Sequence, residues 1–118
     1  MNAAKRGMIM RPTHDNDLEL VGLVPSGHTP STETLLKRLR FVRRFLHARN
    51  AHLGHAVDPH DLEDLEQEVL LQTWTQLHQY RGRASIESWV GRITLLTLSS
   101  WCRRRRWYQL VEMHRLDH

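Results

Sequence analysis

The segment from residue 61 to residue 74 constrains the fold of this chain more than any other. It is acidic at its start, contains no lysine or arginine, and carries apolar residues at helical spacing. Asp58 precedes it as a good N-cap, and Pro59 suits the first helical position. We therefore predict an amphipathic helix that ends near residues 78–79. Its expected buried stripe comprises Leu62, Leu65, Val69 and Leu77.

Two further helices are predicted on either side of this one. The earlier helix would start at Ser31 or Thr32 and end before Gly54. The later helix would be capped by Ser85 and run to about residue 106, and residues 107–118 would extend it or form a short fourth segment. The apolar stripe of the earlier helix is Leu35, Leu39, Val42 and Leu46. That of the later helix is Ile86, Trp89, Val90, Ile93, Leu96 and Trp101.

The chain is long enough for one domain with a modest core. Residues 1–30 mix glycine, proline and polar residues, and only residues 18–24 are locally apolar, so we predict a flexible tail. Residues 31–107 would be the domain, and residues 108–118 a C-terminal extension or the start of a linker. With no convincing strand and no repeat, the predicted fold class is all-α, a small bundle of three main helices with a flexible N-terminal tail.

The charge and cysteine content narrow the function classes. A net charge of +4 favours a polyanionic partner. Cys102, the single cysteine, excludes an intramolecular disulfide and a cysteine-rich zinc site. The sequence contains no run of about 18 apolar residues, so we predict no membrane helix. The N-terminus lacks the apolar stretch of a signal peptide. We expect a soluble cytoplasmic protein.

Asp64, Gln67 and Glu68 share one face of the acidic helix, because residues three and four apart lie one turn apart. Two interpretations stay open from the residues alone. The face is either a solvated acidic surface whose charges suit the helix dipole, or a docking surface for a partner rich in lysine or arginine.

A basic, aromatic region follows the acidic helix. The loop at residues 80–85 combines glycine with arginine beside a helix N-terminus, an arrangement that can hold a phosphate or an extruded base. Tyr80 and Trp89 offer faces for base stacking, although a core position is the simpler interpretation for Trp89. Arginines 103–106 point in all directions around a helix, so they cannot all be buried, and phosphate contact is the better interpretation.

Catalysis finds no support in the sequence. No nucleophile–base arrangement and no phosphate-binding P-loop is present, so we expect neither an enzyme nor a cofactor. His47, His52, His55 and His60 fall within fourteen residues, but their spacing matches no helical i, i+4 pair and most of them are expected in a loop, so we predict no metal site.

The ordered motifs resemble region 2 of bacterial sigma-70 family factors, specifically the extracytoplasmic-function (ECF) group. The acidic helix matches the family pattern at eight positions: Asp61, Glu63, Asp64, Leu65, Gln67, Glu68, Leu71 and Trp74. The next element matches at Tyr80, Arg81, Gly82, Ala84, Ser85, Trp89, Arg92 and Ile93, and a basic run closes the domain. The likeness covers about residues 32–107.

The resemblance implies a sigma factor domain that binds core RNA polymerase and recognises and melts the promoter −10 element. The β′ clamp helices of the polymerase would contact Asp64, Gln67, Glu68, Leu71 and Trp74. Single-stranded −10 DNA would contact the loop residues Tyr80, Arg81, Gly82, Arg83, Ala84 and Ser85. On the third helix it would contact Trp89, Arg92, Ser99, Ser100, Arg103, Arg104, Arg105 and Arg106. An anti-sigma factor is a further partner that the resemblance allows.

Two alternatives stay open. Family members carry a helix-turn-helix region 4 after a linker, and this sequence ends at His118, where such a linker would begin. We expect either a fragment or a protein with region 2 alone. The chain could also be a sigma-like module that binds polymerase without recognising promoters, since Leu96 stands where many ECF factors have asparagine.

Overall fold

A computed structural model describes residues 14–116, and these form five α-helices. They are α1 (Asp15–Leu23), α2 (Thr29–Arg38), α3 (Phe41–His52), α4 (Pro59–Gln76) and α5 (Ile86–Leu116). A short 3₁₀ turn, Leu77–Gln79, follows α4. Helices α3, α4 and α5 pack against one another in pairs, and α1 packs on α2. The predicted all-α class is confirmed, but the described residues hold five helices rather than three.

The acidic helix begins and ends as predicted. The Asp58 side chain accepts a hydrogen bond of 2.9 Å from the Asp61 amide, and Pro59 occupies the first turn. The 3₁₀ turn carries the helix to Gln79, within the predicted end. The predicted stripe of four apolar residues is buried throughout. Asp58 and Pro59 therefore define the start of this helix.

The first predicted helix is two helices in the structure. The chain starts α2 at Thr29, because the side chain of His28, rather than Ser31 or Thr32, caps it through the Ser31 amide. Near Leu39 the backbone changes to i→i+3 hydrogen bonds, Arg40 to Lys37 and Val42 to Leu39, which ends α2 and starts α3. The predicted stripe survives the break, since Leu35, Leu39, Val42 and Leu46 are all buried.

The last helix is continuous from Ile86 to Leu116, so the residues after 106 extend it. Ser85 accepts a hydrogen bond of 3.1 Å from the Ser88 amide, which confirms the predicted cap. Leu96 is 60% exposed, contrary to the predicted stripe, and Thr94 and Thr97 are buried instead. Their hydroxyls donate to the carbonyls of Val90 and Ile93, so burial leaves neither polar group unpaired.

The predicted tail differs from the structure over residues 14–30. Residues 15–23 form α1, and Val21 and Val24 enter the core. The same helix covers the loop at residues 80–85: the His14 amide donates a hydrogen bond of 3.2 Å to the Gly82 carbonyl. Residues 1–13 of the predicted tail, and residues 117–118, lie outside the described part of the chain.

Gly82 is required by its backbone and by its neighbours. Its φ is +72°, and a Cβ built there would lie 3.2 Å from the His14 carbonyl oxygen and 3.2 Å from the Leu18 Cβ. We expect Gly82→Ala to lower the free energy of unfolding by about 1–2 kcal/mol, because it adds left-handed strain and crowds α1. Urea unfolding measures the change.

Gly91→Ala is the matched control. Gly91 lies within α5, and a Cβ there meets nothing within 4 Å. We expect this variant to be neutral or more stable by about 0.5–1 kcal/mol, since alanine favours helix over glycine. Equal destabilisation by both variants would contradict the role given to α1 and to the backbone of Gly82.

Candidate functional site

One exposed stripe runs along α4 on the side away from the core. Asp64 and Gln67 are exposed, and Glu68 is half-buried and accepts a hydrogen bond of 3.3 Å from Gln72. Leu71 is 68% exposed and Trp74 is 42% exposed. A helix turns by about 100° per residue, so these five residues share one face. The structure thus brings the five predicted polymerase-contact residues together.

This stripe contributes little to the packing of the bundle. The buried stripe of α4, centred on Leu65, Val69 and Thr73, lies nearly opposite. A large aliphatic and a large aromatic side chain left in solvent beside acidic residues form an apolar patch with a charged border. Such a patch suits a protein partner, because aromatic residues are enriched in interfaces.

The loop at residues 80–85 is ordered from within by Tyr80. This side chain is buried, and its hydroxyl donates a hydrogen bond of 2.6 Å to the Ala84 carbonyl. Burial raises the pKa of Tyr80 to about 12. The ring meets Trp89 edge-on at a centroid distance of 5.3 Å. The expectation that Tyr80 offers a stacking face is therefore wrong: the ring shapes the loop and has no free face. Trp89 is half-buried.

The exposed part of the loop is basic. Arg81 and Arg83 are both exposed, and Arg81 donates a hydrogen bond of 2.8 Å to the His78 carbonyl. Ala84 and Ser85 are half-buried, and Gly82 is buried beneath α1. Arg92 is exposed one and a half turns into α5. A nucleic acid at this loop would meet the guanidinium groups of these arginines.

An ion-pair cluster that was not predicted from the sequence joins α1 and α2 to the start of α5, next to this loop. Asp17 accepts a hydrogen bond of 3.0 Å from the Ile86 amide, the first residue of α5. Arg38 donates to both carboxylate oxygens of Asp17, at 2.5 and 3.0 Å, and to both of Glu87, each at 2.7 Å. Hydrogen bonding from Arg38 and the Ile86 amide lowers the pKa of Asp17, and the two carboxylates raise that of Arg38.

The distal half of α5 carries the remaining predicted DNA contacts. Ser99 and arginines 103–106 are exposed, and Ser100 is half-buried. The Arg105 guanidinium carbon lies 5.7 Å from the centre of the Trp101 ring, a cation–π contact. Arg103 and Arg104 also line an open cleft of about 300 Å³ with Glu68 and Ser100. The acidic surface of α4 and the basic run of α5 therefore meet along one edge.

A comparison with protein families shows the family to which this chain belongs. The family model for sigma-70 region 2 matches residues 35–108, more than half of the chain. The chain belongs to the sigma-70 region 2 family. The match contains α3, α4, the loop and most of α5, whereas α1 lies outside it. No curated protein and no solved structure gives a significant match.

Two further observations concern this sigma-70 region 2 domain. Within residues 14–116, no group of three or more histidine, cysteine, aspartate or glutamate side chains could hold a metal ion. No helix in this part of the chain is both long and apolar enough to cross a membrane.

The tie through Asp17 makes a prediction about stability. We expect Asp17→Asn to lower the free energy of unfolding by about 1–3 kcal/mol, because the amide cannot replace a carboxylate that serves both Arg38 and the Ile86 amide. Thermal and urea unfolding measure the loss. Asp15→Asn, at an exposed position in the same helix, is the control and should change stability by less than about 0.5 kcal/mol.

The lowered pKa of Asp17 also fixes the direction of a pH effect. Its folded-state pKa is below the unfolded value, so the stabilisation is complete above about pH 4 and is lost as pH falls through the folded pKa. The wild-type domain should therefore lose stability more steeply below pH 4 than Asp17→Asn. Parallel pH profiles for the two proteins would contradict this assignment.

Proposed function

We propose that this chain is the region 2 domain of an ECF-type sigma factor, acting in the cytoplasm by binding rather than by catalysis. It attaches to the β′ clamp helices of core RNA polymerase and holds the single-stranded −10 element of a promoter. Membership of the sigma-70 region 2 family supports the role in transcription initiation. The ECF assignment is supported by the motifs of α4 and of residues 80–93. An anti-sigma factor is a further partner within this proposal.

The exposed stripe of α4 is the observation that carries the proposal. In the described part of the chain, Leu71 and Trp74 leave much of their apolar surface exposed to solvent. Asp64 and Glu68 place negative charge next to that area. A coiled-coil partner bearing arginine or lysine would cover the apolar area and pair with the carboxylates. Charge would then set orientation and rate of association, and Trp74 would supply a central apolar anchor.

The DNA side of the proposal depends on the loop and α5. Extruding a base costs a few kcal/mol, which stacking, pocket contacts and phosphate attraction must offset. Arg81 and Arg83 supply positive charge at the loop. The half-buried Trp89 contacts Tyr80, the first residue of the loop. Since Tyr80 is buried, it acts by holding the loop in shape through its bond to Ala84.

Charge reversal on α4 tests the polymerase contact. We expect Asp64→Lys with Glu68→Lys to weaken binding to purified core polymerase by more than roughly 100-fold, because like charges would then face each other across the interface. Biolayer interferometry measures the affinity, and circular dichroism checks that the helical fold is kept.

The control is an equal reversal at the same spacing on another helix. Asp15 and Glu19 are both exposed on α1. We expect Asp15→Lys with Glu19→Lys to leave polymerase binding within about threefold, apart from a general charge effect that salt screens. Unchanged binding by the α4 pair would contradict the docking assignment.

The basic run of α5 makes a prediction about salt. For single strands, each lost phosphate contact reduces the slope of log affinity against log salt by about 0.7. We expect Arg104→Gln with Arg105→Gln to reduce the slope by about 1.4 for a −10-like oligonucleotide, measured by fluorescence anisotropy. Arg43→Gln with Arg44→Gln, exposed on α3, is the control of equal charge. Equal slopes for the two pairs would contradict a phosphate contact by α5.

A second candidate function is a sigma-like module that binds polymerase without recognising promoters. Leu96 favours it, because this aliphatic side chain is 60% exposed on the helix that would face DNA. The complex with core polymerase separates the two candidates. Preference for a −10-like strand over a scrambled strand supports the promoter-reading domain, and binding of polymerase without that preference supports the module.

A further inference from the structure

A cleft of about 420 Å³ opens where the end of α3 meets the side of α5, away from the stripe on α4. Its floor consists of Leu53, Leu95, Leu98 and Cys102. Leu53 is 50% exposed, and Cys102 is half-buried. The floor is aliphatic with one sulfur, so it suits the apolar side chains of a partner.

The rim of this cleft is cationic. Arg49 reaches it from α3, and Arg103 and Arg106 reach it from α5, with His52 beside them. No carboxylate lines the cleft. Within residues 14–116, the ion pairs involve Arg38 and Arg115 and none of these three arginines. The rim therefore carries positive charge that the described part of the chain does not neutralise.

A second cleft of about 360 Å³ continues the first. The two share Leu53, Cys102 and Arg106, and the second extends along α5 to Gln109. From Leu95 to Gln109, α5 rises by about 21 Å, or about four turns. We use the name α3–α5 trough for the two clefts together. Its length matches a helix of about four turns laid along α5.

The chemistry of the trough points to one kind of occupant. A single-stranded nucleic acid would use aromatic faces, but the first cleft has none, and Trp101 in the second already carries the Arg105 guanidinium. An aliphatic floor between arginines is complementary to an amphipathic helix with an apolar stripe and flanking acids. We propose that the α3–α5 trough binds an acidic amphipathic helix of a partner protein. Apolar side chains lie on Leu53 and Leu95, and carboxylates pair with Arg49, Arg103 and Arg106.

A synthetic peptide tests this with the full chain. The probe is a labelled helix of about 16 residues with leucine at helical spacing on one face and glutamate along both flanks. A peptide of the same composition, permuted so that the helical period is lost, is its control. We expect the periodic peptide to bind at least roughly tenfold more tightly by fluorescence anisotropy, because only it presents the two faces together.

Two variants assign the binding to the trough. Arg49→Glu with Arg106→Glu should weaken the periodic peptide at least roughly tenfold, and Leu53→Asn should weaken it without changing the charge. Arg43→Glu with Arg44→Glu makes the same charge change on α3 outside the trough. At about 0.15 M salt this control should change affinity by less than about twofold, since the screening length is about 8 Å.

Three results would overturn the proposal. The periodic and permuted peptides could bind alike, the control pair could weaken binding as much as the trough pair, or an oligonucleotide rather than the peptide could depend on Arg49. The last result would assign the trough to DNA. None of these measurements uses polymerase, so they stand or fall separately from the assigned role of α4.

One consequence rests on the proposed function. Arg103 and Arg106 are also expected phosphate contacts, so a bound acidic helix and a promoter strand would compete for them. Saturating periodic peptide should then displace a −10-like oligonucleotide from the wild-type chain, and should fail to displace it from Leu53→Asn at the same peptide concentration. If neither the wild-type chain nor Leu53→Asn binds the oligonucleotide, only the DNA assignment is contradicted, because peptide binding is measured without DNA.

Discussion

The arrangement of this domain depends on the pairing of the Arg38 guanidinium with two carboxylates. The guanidinium joins Asp17 of α1 to Glu87 of α5 from its own place on α2, with four hydrogen bonds between 2.5 and 3.0 Å. Exposed single ion pairs contribute little, but a planar guanidinium held on two sides is more favourable, because geometry and charge act together. Through Asp17 the cluster also satisfies the Ile86 amide, one of the unpaired donors at the start of α5. The neighbouring helices α1 and α2 are thereby fixed to the start of α5, which is distant in sequence, next to the loop at residues 80–85.

On α4, the residues that stabilise the fold and the residues proposed to bind partners are different and lie apart. Along α4 the buried stripe and the exposed stripe lie on opposite sides, so changes on one need not disturb the other. The loop is different, because Tyr80 and Gly82 serve the fold while Arg81 and Arg83 point outward. Substitutions in the loop therefore combine effects on stability with effects on binding, whereas those on α4 separate them.

Features encoded by neighbouring residues could be predicted from the sequence, and features set by distant contacts could not. The start of α4 was predictable because Asp58 and Pro59 act on the next turn. The helix α1 was missed because its main partners, Arg38 and Ile86, lie 21 and 69 residues away. The break at Leu39 contains neither glycine nor proline, so nothing local indicated it. In α5, Thr94 and Thr97 are buried because their hydroxyls bond within the helix, which hydropathy cannot indicate. The five residues predicted to contact polymerase lie together in the exposed stripe of α4, but their contact with polymerase stays a prediction.

Because α5 is continuous, it fixes the distance between the loop at residues 80–85 and the arginines at positions 103–106. From Ile86 to Arg106 the helix rises by about 30 Å, close to the length of nine stacked nucleotides at about 3.4 Å each. No hinge interrupts it, so the loop at one end and the basic run at the other keep a fixed separation and a fixed angular phase. Inserting or deleting one residue between them would turn the arginines by about 100° relative to the loop. Sequence drift in this helix should therefore tolerate exchanges of side chains on its outer faces far better than any change in its length.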